Sequence, residues 1–254
     1  MIRATRLALG ILLAALLTGG CQTTQAAVAA DTAAVAVPDP GAHPREFLTA
    51  TADAVRSLTA TMKLRVTADG RRFTALGALA VAAPDTVQLE VNGPLGLPML
   101  TLAMHGDTLT LVDYPHQRYV QANRNTLPAR YRGWAELWRL FPLLDTAVVQ
   151  AAAWTRDTGD TWVGVWGDAD GRHYRLRASA ACGLTEVEFR QGEETAGALI
   201  LTEPDSVVRL PRRVAVAAPG IAVDGELVNV VLNPVLRVSA PRIPLQFTAA
   251  PLPE

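Results

Sequence analysis

From residue 59 the chain alternates. Ala60, Met62, Leu64 and Val66 are separated by Thr59, Thr61, Lys63, Arg65 and Thr67. A period of two sends successive side chains to opposite faces, so this segment reads as a strand with one dry and one wet face. Asp69-Gly70 then predicts a tight hairpin turn, with the return strand over 73–81. The rhythm continues. Val87, Leu89 and Val91 alternate with Gln88, Glu90 and Asn92; Leu100, Leu102 and Met104 with Thr101 and Ala103; Leu109 and Leu111 with Thr108 and Thr110; and 118–121 makes a short strand. Consecutive strands with tight turns predict an antiparallel meander. Ahead of it, Pro44 suits a first helical turn, and Phe47, Leu48, Ala54, Val55 and Leu58 fall on one helical stripe.

The alternation breaks over 125–153. There Trp134, Leu137, Trp138, Phe141, Leu144 and Val148 recur at three and four, the spacing of one or two helices with Pro142 at a joint. Strands resume at 161–166, 173–178, 184–190, 197–202, 212–217 and 221–232, and a proline-rich tail follows. One sheet that long must curl. The expected fold is mainly β with some α: a single curved antiparallel sheet of about 11 strands, an incomplete barrel whose concave face is covered by a helical lid. The plain reading of its apolar stripes is a dry core, as most such stripes are.

The N-terminus has a different pattern. Arg3 and Arg6 precede an apolar run from Leu7 to Leu17. That run is too short to span a bilayer and has the length of a secretory signal. Leu17-Thr18-Gly19-Gly20-Cys21 follows, small residues leading to a cysteine, as in a bacterial lipoprotein cleavage box, with Leu17 one place further back than usual. The expected organisation is a lipoprotein signal over 1–20, a lipidated Cys21 with a flexible linker to 44, a domain over 45–234 and a tail over 235–254. Gln22 after the cysteine, where proteins retained at the inner membrane typically carry Asp, favours the outer membrane, facing the periplasm. With Cys21 acylated, Cys182 has no partner for an intramolecular disulfide.

Composition narrows the function classes. Half of the 254 residues are hydrophobic, 19% are charged and the net charge is −1, which excludes a disordered chain. Loss of residues 1–20 leaves 21 basic against 24 acidic residues, a net of −3. A chain so balanced, with 6% aromatics, lacks the basic face and stacking platforms of a nucleic-acid binder. Lys63 is the only lysine, so a phosphate-binding P-loop is excluded. His43, His105, His116 and His173 form no metal-ligand spacing, and no nucleophile elbow occurs. Glu186 and Glu188 resemble a carboxylate pair, but their alternation with Val187 and Phe189 assigns them to a solvated face. No catalytic residue, metal or cofactor is expected, and an enzyme is disfavoured.

One loop is unusual. Asn92-Gly93-Pro94-Leu95-Gly96-Leu97-Pro98 joins two strands as a rigid turn, yet places leucines where turns are normally polar. Such a leucine either folds back as a plug or stays exposed to meet an apolar partner. The run Val87-Gln88-Leu89-Glu90-Val91-Asn92-Gly93-Pro94-Leu95-Gly96, continued through Leu100–Leu111 to Asp113, resembles the family of the outer-membrane lipoprotein receptor LolB and its relative, the periplasmic carrier LolA. The end, from Pro211-Arg212-Arg213-Val214 through Asn233-Pro234, is similar in pattern.

The resemblance implies a half-barrel with a helical lid, whose cavity takes the acyl chains of other lipoproteins, and a loop leucine that helps deliver them into the membrane. By position that leucine is Leu95, with Leu97 beside it; the receptor carries polar residues where this chain has Leu97-Pro98. The cavity walls would be Met62, Leu64, Leu89, Val91, Leu100, Leu102, Leu109, Leu111, Trp162 and Trp166, and the lid would present Trp138, Phe141 and Leu144. The implied partners are acylated lipoprotein cargo, a LolA-like carrier and outer-membrane lipid. Two other functions stay open: a structural or interaction lipoprotein of the same fold, and a hydrolase with a dispersed site.

Overall fold

The computed structural model describes residues 42–251 apart from 69, 129–131, 133–134, 137–145, 170, 205–209, 219, 237 and 239. Helix α1 (Pro44–Ala54) begins at His43, whose Nδ1 accepts from the Arg45 backbone N–H, with proline in the first turn. It buries Phe47, Leu48 and Thr51. The helical stripe expected to reach Leu58 stops at Ala54, and Leu58 instead belongs to the first strand. Asn233 holds this junction: its side chain accepts from the Arg56 and Ser57 backbone and donates to the Ala54 carbonyl at 2.7 Å.

The strands are β1 (Ser57–Ala68), β2 (Arg71–Ala82), β3 (Thr86–Asn92), β4 (Pro98–His105), β5 (Thr108–Asp113), β6 (Arg118–Asn123), β7 (Ala153–Arg156), β8 (Thr161–Gly167), β9 (Arg172–Ser179), β10 (Gly183–Gln191), β11 (Glu194–Pro204), β12 (Pro211–Ala218), β13 (Ile221–Leu232) and β14 (Thr248–Ala249). Helix α2 (Thr146–Ala151) precedes β7. All strands join one sheet in the order β14-β6-β5-β4-β3-β2-β1-β13-β12-β11-β10-β9-β8-β7. The β1–β6 meander is present, and the long β1–β13 pairing splices it to the C-terminal strands.

This sheet has 14 strands, not the 11 expected. Two additions are short: β7, and β14, which pairs in parallel with β6, so the sheet is mixed although mostly antiparallel. It does not close, because β14 and β7 stand at its two ends. Two short helices, α1 and α2, are delimited among the described residues. They pack on each other and against β8 and β10, and two helices this short make no continuous lid. The lid candidates Trp138, Phe141 and Leu144 lie outside the described residues, as does Cys21.

The sheet is strongly curled. Nine strands separate β6 from β9 in its order, which in a flat sheet would put them about 48 Å apart. Yet Glu136, which is buried, accepts from the Tyr174 hydroxyl of β9 at 2.6 Å and lies 3.9 Å from Nε of Arg124, the residue after β6. Arg132 in the same crossing segment donates to Gln191 of β10. A single carboxylate bridges strands so far apart only if the sheet bends into a trough. Glycines on the inner face ease the bend. A Cβ at Gly225 would stand 2.6 Å from the Met62 methyl, and one at Gly164 would stand 2.9 Å from the Trp154 ring.

Candidate functional site

Strand register decides which side chains share the inner face. Met62 and Leu64 of β1 stand opposite Gly77 and Ala75 of β2; Leu79 meets Leu89; Leu89 meets Leu102; Leu102 meets Leu111; and Leu111 meets Val120. On the other half, Trp162 and Trp166 of β8 stand opposite Ala178 and Tyr174. All ten residues read as cavity walls therefore lie on one face of one sheet.

They are not equivalent on it. Met62, Leu64, Leu89 and Val91 are buried in the continuous core. Leu100, Leu102, Leu109, Leu111, Trp162 and Trp166 are half-buried. Helices α1 and α2 lie toward β8–β10, and the inner face of β4 and β5 keeps part of its leucine surface accessible. Trp162 is contacted by the His43 ring at 5.2 Å and the Arg156 guanidinium at 5.8 Å, and its indole N–H is buried without a hydrogen-bond partner.

A polar cluster sits among these apolar walls. Tyr174 and Glu136 are joined as described, and Arg124 also pairs with Asp107 at 2.7 Å. Arg172 pairs with Asp168. Burial opposes the Arg172 charge, but the hydrogen bond and charge of Asp168, with Glu136 and Tyr174 nearby, outweigh it and hold this guanidinium above its usual pKa. Sequence spacing could not reveal this cluster, because its members come from the β4–β5 turn, the segment after β6, the β8–β9 turn and β9.

The leucine loop does not fold back. Leu95 is 97% exposed and Leu97 62% exposed. Pro94–Gly96 form a single tight turn in which Leu95 takes φ +64, a left-handed conformation unusual for leucine. Gly93 closes the loop by donating to the Leu97 carbonyl at 2.9 Å. A Cβ on Gly93 would meet Met99 at 2.8 Å, so glycine is needed for that side chain to cross the loop's base. Sequence reading missed Phe73, Leu76 and Met99, which are exposed at this same end of β2–β4.

The outer face holds a surprise as well. Thr101 and Thr110, expected on the wet side, are each 3% exposed, and Val112 is fully buried. The C-terminal segment crosses this face beside Thr101 and Tyr114. Leu236, Val238, Ala240, Pro241 and Arg242 share with Gln88, Thr101 and Tyr114 a hollow of about 460 Å³, and Phe247 packs edge-on against Tyr114. Glu186 and Glu188 lie on the outer face, opposite the buried Val187 and Phe189, and pair with Arg177 and Arg190. Among the described residues no group of three His, Cys, Asp or Glu could hold a metal, and no helix is long and apolar enough to cross a membrane.

A curled, open, mostly antiparallel sheet around an apolar trough has counterparts among solved structures. A LolA superfamily protein from Nitrosomonas europaea matches over 77% of this chain and 96% of its own, with a TM-score of 0.51 at 11% identity. The chain has the LolA-type fold. A domain from Vibrio parahaemolyticus named for outer membrane lipoprotein sorting matches over 76% of this chain and 92% of its own, with a TM-score of 0.53 at 12% identity. A DUF1329 family protein from Desulfovibrio piger matches over 78% and 95%, with a TM-score of 0.55 at 8% identity. No protein-family model and no curated protein matches the chain. The LolA-type likeness is thus one of backbone architecture, which the low identities leave independent of side-chain detail.

Proposed function

We propose that this protein is a lipoprotein anchored through Cys21 to the outer membrane, and that it takes acyl chains of other lipoproteins into its trough and helps insert them into that membrane. The observation that carries this reading is the largely apolar inner face, half-accessible along Leu100, Leu102, Leu109 and Leu111. A chain of about 14 methylenes gains on the order of 11 kcal/mol on leaving water, so any partner that accepts it needs a face of this kind. Trp162 and Trp166 extend the wall, and Trp138, Phe141 and Leu144 are the proposed cover. The exposed Leu95, with Leu97, is the proposed point of entry into the bilayer. The LolA-type fold supports the reading by architecture, and the domain named for lipoprotein sorting shares it. No reaction is needed: transfer proceeds down a gradient of affinity.

Binding of a fluorescent fatty acid by the purified protein tests the trough directly; no binding at micromolar probe would sink the proposal. Leu95→Glu tests delivery. Its side chain is exposed, so Tm is expected to hold, while insertion of a triacylated lipoprotein into liposomes falls tenfold or more. Unchanged insertion would remove the loop from the mechanism.

A second reading rests on the burial of Met62, Leu64, Leu89 and Val91, which already fill the inner face over β1–β3. In that reading the trough is core, and the protein is an interaction lipoprotein of the same fold. Pull-down from periplasm separates the two, acylated cargo supporting transfer and one fixed protein partner supporting scaffolding.

A further inference from the structure

We infer that the free end of β2 and the leucine loop together form a two-pronged docking corner for an anionic lipid surface. This rests on the proposed membrane role of Leu95 and extends it to residues on a different element. Pairing of β2 with β3 ends at Leu76 opposite Asn92, whereas pairing of β2 with β1 continues to Arg71. Five residues of β2, Arg71 to Ala75, thus run on past the end of β3 with no strand on that side, and the Gly93–Leu97 turn stands beside them.

The side chains at this corner are apolar and uncovered. Phe73, on the inner face opposite Val66, is 50% exposed, and Leu76, on the outer face opposite Lys63, is 57% exposed; with Leu95, Leu97 and Met99 they line both sides of this end of the sheet. Isolated exposed leucines are ordinary; five large apolar side chains at one corner are a contact surface. Its charge pattern selects the partner. Residues 92–99 carry no charge. Arg71 and Arg72 are exposed, with no ion pair among the described residues, and they keep the hairpin tip at net +1 even with Asp69 counted. On β13, two strands from β2, Asp224 is held by Arg65 at 3.5 Å and Glu226 by Lys63 at 3.4 Å, and on the adjacent β3 the exposed Glu90 accepts from the Gln88 side chain at 2.8 Å. The exposed Glu193 and Glu194 project from the β10–β11 hairpin at the same end of the sheet, four strands away from β2. Apolar prongs flanked by unpaired arginines match the depth profile of an anionic bilayer, hydrocarbon within and phosphate at the rim.

The test uses the full chain reconstituted in vesicles. A polarity-sensitive dye is placed on Thr74→Cys or on Leu97→Cys in a Cys182→Ala background, with the parent chain as blank. In vesicles of phosphatidylcholine with 30% phosphatidylglycerol, both positions are expected to shift to the blue. In phosphatidylcholine alone the shift at position 74 is lost. Arg71→Gln with Arg72→Gln lowers the docked fraction relative to the undocked by about thirty-fold, each arginine near an anionic surface contributing about fivefold. A shift at position 97 without one at 74 overturns the second prong while leaving the loop in the bilayer; no shift at either position overturns both readings. A shift at 74 that is equal in neutral vesicles overturns the role of charge. A shift that grows with protein concentration without lipid assigns the corner to a second copy of the chain and overturns the proposal.

Discussion

Glu136 shows how one side chain can report the shape of the molecule. A carboxylate removed from water must find donors or charges, and this one finds Tyr174 from β9 and Arg124 from the end of β6. Removing the hydroxyl with Tyr174→Phe takes one donor from a buried acid and leaves the ring contacts with Trp166 and Phe189 in place. The expected cost is on the order of 1–3 kcal/mol, read as a Tm lowered by several degrees. An unchanged Tm would show that this hydrogen bond does not hold the two sides of the trough together. Nothing near Glu136 in sequence marks it, because its partners come from distant strands. Glu186 and Glu188, by contrast, were legible as solvated, since alternation with Val187 and Phe189 leaves them only the outer face.

Among the elements, the strands were the most readable and the tail the least. Alternation marks a strand wherever one face is wet and the other dry, and twelve of the observed strands announce themselves so. Strand β14 has two residues and no room for a period. The tail reads as loop because prolines interrupt it, yet it pairs with β6 through Thr248 and Ala250 and lies against the outer face beside Thr101 and Tyr114. It thereby covers a sheet edge and an outer face that would otherwise meet solvent. Deleting 235–254 is expected to lower Tm by roughly 10 °C and to promote association through the bared β6 edge. Calorimetry and light scattering check both. A truncated chain as stable and monomeric as the parent would show that the tail only rests on the sheet.

For the molecule as a trough, the distinction that matters is between filled and accessible parts of one apolar face. Leu111 stands on the accessible part and is half-buried, so a larger side chain there has space to occupy without breaking the core. Leu111→Trp is expected to weaken fatty-acid probe binding tenfold or more while leaving Tm within about two degrees. Met62→Trp, at a position 1% exposed, should instead unfold the protein, because overpacking a closed core forces its neighbours off their rotamers. If Leu111→Trp bound the probe like the parent, the acyl site would not lie on this half of the trough.

Period-two alternation was enough to mark twelve strands and to put Met62, Leu64, Leu89, Val91, Leu100, Leu102, Leu109 and Leu111 on a common face, because side-chain direction in a strand follows from local geometry alone. The same pattern could not say how many strands the sheet would have, which half of its inner face would be packed, or that its outer threonines would be buried. Those depend on which strand lies beside which, and on where a proline-broken tail comes to rest. Splicing β13 to β1 and bridging β6 to β9 are long-range events. Their energies come from surfaces brought together only when the sheet curls, so no window of neighbouring residues contains them.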